Sequence, residues 1–262
     1  MKNPFPNRYW QGFKRSLVTY TRIPLKVDWR EEEESSIPAV SFLPWVGLVV
    51  ALMSAWPLWF DWSTSLQALC MLLSAVLITG GFHEDGLMDS ADGLVGGLDQ
   101  EQRLTIMKDS RLGSYAALSI WFSMTLKWLL LTELLNTGSD SFLVLLYLIS
   151  VWCAVQILAR VFPLVLMHSL DYVSVGQSKA SSMITRLDMK QWLVALLPCA
   201  IIAILSLNII EIVLAVLCAG LLLLAMRQYL KAKIQGFNGD TLGASEQLGE
   251  IFVMAILLVF TA

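Results

Sequence analysis

Apolar residues fall in long blocks along this chain, separated by short polar stretches. A helix needs about 20 apolar residues to cross a hydrocarbon core of roughly 30 Å. Blocks of that kind lie near residues 38–60, 64–82, 114–135, 141–167, 191–207, 209–226 and 241–262. The pattern predicts an all-α fold, a polytopic transmembrane bundle of about seven spans in a single integral membrane domain over residues 1–262, with residues 1–37 as an N-terminal segment. Within that segment, Arg8, Lys14, Arg15 and Arg22 interleave with Trp10, Phe13, Leu17 and Tyr20, and the long apolar stretch and small-residue cleavage site of a signal peptide are missing. Such interleaving suits a helix lying in the headgroup plane, or a short cytoplasmic cap on the bundle.

Composition agrees with the pattern: 56% of the 262 residues are hydrophobic and 15% charged. Charge placement adds a direction. Of the 18 Lys and Arg residues, seven precede the first span and three lie in each of the stretches His83 to Gly113, Ser169 to Lys190 and Arg227 to Gly239. The intervening loops carry none. By the positive-inside rule the N-terminus and those three loops are expected on the cytoplasmic side of the cell (inner) membrane. Glu31 to Glu34 reads as a solvated turn before the first span. A net charge of -3 gives no basic surface for nucleic acid. Cys70, Cys153, Cys199 and Cys218 stand singly in apolar runs and read as small core residues.

The most informative polar stretch is Gly80 to Gly93, where the second apolar block ends. Asp85, Asp89 and Asp92 occur at i, i+4 and i+7, so a helix would gather three carboxylates in one wedge of its surface. Like charges at that spacing repel, and a divalent cation is the usual compensation. Lys108 and Arg111, with Asp109 between them, follow in the same loop, the two basic residues offering cations for the phosphate oxygens a metal leaves uncovered. Arg160 falls in the predicted fourth span, where a charge faces a partner or a wet cavity, or else snorkels to the interface. Lys127, at mid-span, reads first as half of a structural ion pair with another span. Near the last span, Asp240 is placed to N-cap a helix, and Glu246 and Glu250 sit one turn apart within it. His83 adjoins the acidic run, where a lone histidine is either a hydrogen-bonded structural residue or a metal ligand, phosphate donor or general base; His168 ends the fourth span and looks interfacial.

Gly80-Gly-Phe-His-x-Asp-Gly-Leu-x-Asp-x-x-Asp-Gly93, Met107-Lys-Asp-Ser-Arg-x-Gly113, and Gly239-Asp-Thr-Leu-Gly-Ala with Gln247-x-x-Glu250 together resemble the cobalamin synthase family, whose members are adenosylcobinamide-GDP ribazoletransferases. The resemblance implies a Mg²⁺-dependent phosphotransfer at the cytoplasmic face: the hydroxyl of alpha-ribazole, or of its 5'-phosphate, attacks the phosphorus nearer the cobinamide in adenosylcobinamide-GDP and expels GMP. It implies metal ligation by Asp85, Asp89 and Asp92, with Asp109, Asp240 and Glu250 next, phosphate binding by Lys108, Arg111 and Arg160, and catalytic roles for His83, Asp85 and Asp89. Glu84 and Glu246 fall where the family pattern varies and are left out. Expected partners are the two substrates and the lipid bilayer, with room for a homo-oligomer.

Two rivals share the acidic clusters. An ion-coupled transporter is suggested by the echo of Gly81-Phe-x-x-Asp85-x-Leu87 in Gly236-Phe-x-x-Asp240-x-Leu242, although transporter sites lie at the bilayer midplane. A CDP-alcohol-type phosphotransferase acting on a lipid is the other, but its signature orders the acidic residues differently.

Overall fold

The structure is a computed structural model that describes residues 5–27, 37–136, 141–174, 186–206 and 209–261. The acidic turn expected at Glu31 to Glu34 lies outside them. The chain is all-helical: α1 (Phe5–Tyr20), α2 (Leu43–Ser54), α3 (Thr64–Thr79), α4 (Phe82–Gly96), α5 (Gln100–Met107), α6 (Ser114–Leu135), α7 (Phe142–Ala159), α8 (Val161–Ser169), α9 (Met189–Ser206), α10 (Ile209–Ile234) and α11 (Gly239–Thr261). Five stretches among the described residues are long and apolar enough to cross a membrane, namely Ala39–Trp59, Ser114–Leu135, Phe142–Ser169, Ile209–Ile234 and Gly239–Phe260. The protein is thus a multi-pass membrane protein, with fewer full-length spans than the expected seven. The block at 191–207 forms the shorter apolar helix α9, which carries Pro198 in its interior.

The block at 64–82 also differs from expectation, and glycine is the reason. Gly80 and Gly81 both adopt left-handed backbone, at φ 73° and 71°, and the chain turns by 88° between α3 and α4. At Gly80 a side chain would also run into the Arg22 guanidinium. A single long block is therefore a bent pair, and counts as a sixth span only if both arms are taken together.

Side chain to backbone bonds set the other breaks. Ser63 and Asp99 N-cap α3 and α5. Between α7 and α8 the helix is interrupted at Arg160, where Pro163 has no N–H to give to the carbonyl one turn back. Two glycines let neighbours close on this interruption. A Cβ on Gly47 of α2 would lie 2.9 Å from the Arg160 side chain, and one on Gly249 of α11 would lie 3.1 Å from the Ala159 backbone.

Trp152 is fully buried at the centre of the larger apolar core, its indole N–H donating to Ser54 Oγ at 2.8 Å. A smaller core of Leu104, Met107, Leu164, Leu230 and Phe237 gathers the polar loops at one end. There Phe237 N–H donates to Asp171 O at 2.9 Å, and the Arg103 guanidinium donates to Lys233 O at 2.8 Å, so three loops expected to lie on one side meet. α1 packs on this end through Gly12, Arg15, Ser16 and Leu17 and leaves Tyr9 and Trp10 exposed, a cap whose outer face is aromatic. Of the cysteines, Cys153 and Cys199 are buried as expected, whereas Cys70 is half-buried and Cys218 is exposed on the outer surface of α10.

Candidate active site

α4 and α11 meet at glycine. A Cβ on Gly86 would stand 2.8 Å from the Asp240 carbonyl oxygen and 3.1 Å from Gly243 Cα; one on Gly243 would stand 3.1 Å from the His83 carbonyl. Among the described residues no other pair of helices packs so extensively. The absence of side chains at the crossing lets two polar helices run backbone to backbone and sorts their polar residues to either side.

On the outer side lies an acidic face. Asp85 is exposed, and Asp89, Asp92 and Asp240 are half-buried. These carboxylates act on one another: Asp89 feels Asp85 and Asp92, while Asp240 feels Asp89, Asp85 and, in the opposite sense, Lys108. The expected i, i+4, i+7 wedge is therefore joined by a fourth carboxylate from the far end of the chain. Asp92 also holds structure, accepting from Gly113 N–H at 2.7 Å and Ala116 N–H at 2.9 Å, so that it caps α6. At the start of α11 the cap is Asn238, whose Oδ1 accepts from Thr241 N–H at 3.0 Å. That corrects the expectation that Asp240 caps this helix. Asp240 sits two residues further on, turned to the acidic face and held by Asn238 Nδ2 at 2.9 Å.

Asp109 and Arg111 form a surface pair, with Arg111 Nε donating to Asp109 Oδ1 at 3.0 Å and Oδ2 at 2.9 Å. Those hydrogen bonds hold the Asp109 carboxyl below the usual carboxylate range and the Arg111 guanidinium above its own. Arg111 is 87% exposed, open to an anion from solution.

On the inner side lies a buried polar network. Lys127 Nζ donates to Gln247 Oε1 at 2.6 Å and Glu250 Oε2 at 2.8 Å, and stands 3.9 Å from Glu84 Oε1. Gln247 Nε2 donates to Glu84 Oε1 at 3.1 Å, and Gln156 donates to Glu250. Arg160 Nη1 lies 3.1 Å from Glu246 Oε1 and donates to the Gln156 carbonyl at 2.6 Å. His83 Nδ1 lies 3.4 Å from Glu246 Oε2, with its ring stacked near Tyr20.

This network reassigns several expected residues to places away from the acidic face. Arg160 and Glu250 point inward and are engaged by protein partners, and so is His83, which is 4% exposed. Lys127 is the interhelix ion pair its position suggested. Glu84 and Glu246, which sequence reasoning set aside, are integral parts. Their signal was present in the chain: two cations placed within spans require buried carboxylates.

Among the described residues, no three carboxylate, imidazole or thiol side chains converge as a ready-made metal cage. Mg²⁺ does not ask for one, since it keeps several waters and binds through one or two carboxylates plus substrate phosphates. Hard carboxylate oxygens that repel one another on a solvent-open face match that donor preference.

Residues 12–258 match the family described as cobalamin-5-phosphate synthase. The chain belongs to that family. Its similarity to curated proteins is nearly full-length: it is 37% identical over 244 residues, 92% of each chain, to the adenosylcobinamide-GDP ribazoletransferase of Shewanella pealeana. It is 31% identical over 251 residues to the protein of that name from Vibrio parahaemolyticus, covering 95% of this chain and 92% of the other. No solved structure matches. That family membership separates the chain from the transporter and lipid-phosphotransferase readings.

Proposed function

We propose that this protein transfers the adenosylcobinamide phosphoryl group of adenosylcobinamide-GDP to alpha-ribazole or alpha-ribazole 5'-phosphate, with release of GMP, at the cytoplasmic face of the inner membrane. The observation that carries the reading at this site is the meeting of Asp85 and Asp89 of α4 with Asp240 of α11 beside Lys108, in a chain of this family.

In this reading Mg²⁺ would be held by one or two of Asp85, Asp89 and Asp240 together with substrate phosphate oxygens and water. When bound there, Mg²⁺ supplies charge neutralisation for the diphosphate. Lys108 and Arg111 bind phosphate oxygens, and a phosphate competes with Asp109 for the Arg111 fork. Asp92 fixes the Gly113 turn, keeping this loop beside α4. The ribazole hydroxyl attacks the phosphorus nearer the cobinamide; an O–P bond forms as the bond to the GMP oxygen breaks. The hydroxyl proton passes to water at the open face. His83, Arg160 and Glu250 act from below by holding the two helices.

Purified protein in liposomes, given adenosylcobinamide-GDP and alpha-ribazole phosphate, is expected to release GMP and form a cobalamin product only when Mg²⁺ is present. Folded protein that gives no turnover with both substrates and metal overturns the reading.

A further inference from the structure

The acidic face poses a mechanical problem. Asp85 and Asp89 on α4 and Asp240 on α11 repel one another across a contact made by Gly86 and Gly243. Glycine brings the backbones close but contributes no side chain to hold them. The restraint must come from the inner side, because the outer side has to stay open to substrate.

We propose that Lys127 is a positioning residue of the transfer site, tying α4 to α11 beneath the glycine crossing and fixing how far Asp85 and Asp89 stand from Asp240. The inference rests on the proposed function only for what the acidic face binds. The Lys127 ammonium, 1% exposed, reaches Glu250 at 2.8 Å and Gln247 at 2.6 Å on α11, and Glu84 at 3.9 Å on α4. Glu84 immediately precedes Asp85, and Gln247 Nε2 bonds it at 3.1 Å, so the tie ends one residue from the acidic face. Lys127 belongs to α6, whose N-terminus is already fastened to α4 by Asp92. α6 therefore acts as a brace fixed to α4 at its N-terminus and, near its middle, to the α4 and α11 pair.

A buried cation of this kind is confounded with folding, since deleting it takes from buried Glu250 its hydrogen-bonded cation and leaves only the Gln156 amide bonded to it. Replacing both members of a buried pair by apolar residues is, by contrast, well tolerated. The test compares wild type, Lys127→Met, Lys127→Arg and the double variant Lys127→Met/Glu250→Leu, using Mn²⁺ binding followed by electron paramagnetic resonance, melting temperature, and the separation of spin labels placed at Val95 of α4 and Leu248 of α11. Lys127→Met should melt lower. The double variant should recover its melting temperature yet bind Mn²⁺ roughly 10- to 100-fold more weakly, as for residues that orient metal ligands, with a broadened label separation. Lys127→Arg should stay near wild type in all three. A double variant with wild-type Mn²⁺ affinity and unchanged label separation overturns the positioning role. The label separation reads the brace without metal, so wild-type protein that binds no Mn²⁺ would count against the proposed function, while the label result still decides the brace.

Discussion

At the scale of single residues, carboxylates of one acidic run do different work according to where their oxygens point. Asp92 spends both oxygens on backbone N–H groups of the α6 start, while Asp85 faces solvent. Asp85→Ala and Asp89→Ala should lower GMP release on the order of 100-fold or more, the scale of losing a charge-stabilising group, with expression and insertion unchanged. Asp92→Ala should instead destabilise the protein by about 1 kcal/mol, the usual cost of a lost N-cap, read as a lower melting temperature in detergent. The pair of Asp109 and Arg111 is a third case. Its hydrogen bonds keep the Asp109 carboxyl below its ordinary range, so the pair persists above that range and is lost as pH falls through the depressed value. Because it is exposed, its contribution to folding is screened. Arg111→Ala should leave the melting temperature unchanged at neutral pH and raise the KM for adenosylcobinamide-GDP, measured by initial GMP release.

At the scale of elements, the crossing of α4 and α11 decides whether the acidic face exists. Gly86→Leu would drive a Cβ to 2.8 Å from the Asp240 carbonyl, and backbone cannot yield as a flexible side chain can. The substitution should abolish GMP release while the protein still inserts. Gly220→Ala, in α10 with open space around it, should keep full activity and gain a few tenths of a kcal/mol or more from helix propensity. Much at this scale was legible beforehand, because hydrophobic blocks report burial in lipid directly; the echo of Gly81 in Gly236 suggested an inverted repeat and did not announce that the two helices pack together. The 88° turn was not, since Gly80 and Gly81 sit in an apolar run whose hydropathy is silent about φ. The inner network was half legible: Lys127 and Arg160 announced that partners existed, but only the register of α11 against α4 and α7 selects Glu84, Glu246, Gln156 and Glu250.

At the scale of the whole molecule, the open question is which way the bundle stands in its membrane, and the chain supplies the means to answer it. The basic loops converge with α4 and α5 at one end, while Phe60, Asp61 and Ser141 belong to the loops at the other. If positive charge sets the topology, the acidic face opens to the cytoplasm, where a phosphorylated nucleotide substrate and Mg²⁺ are at hand. A membrane-impermeant maleimide reads this out through single cysteines. Leu98→Cys, at a position 85% exposed between α4 and α5, should label in inverted vesicles and resist labelling in right-side-out cells. Asp61→Cys, in an exposed turn at the opposite end, should behave in the reverse way. The native thiols need not be removed first. Cys153 and Cys199 are buried, and Cys70 and Cys218 lie within the apolar helices α3 and α10, away from the polar loops at either end that a charged reagent reaches. Labelling of Leu98→Cys from outside intact cells would invert the topology and place the transfer site on the wrong side of the membrane for its substrates.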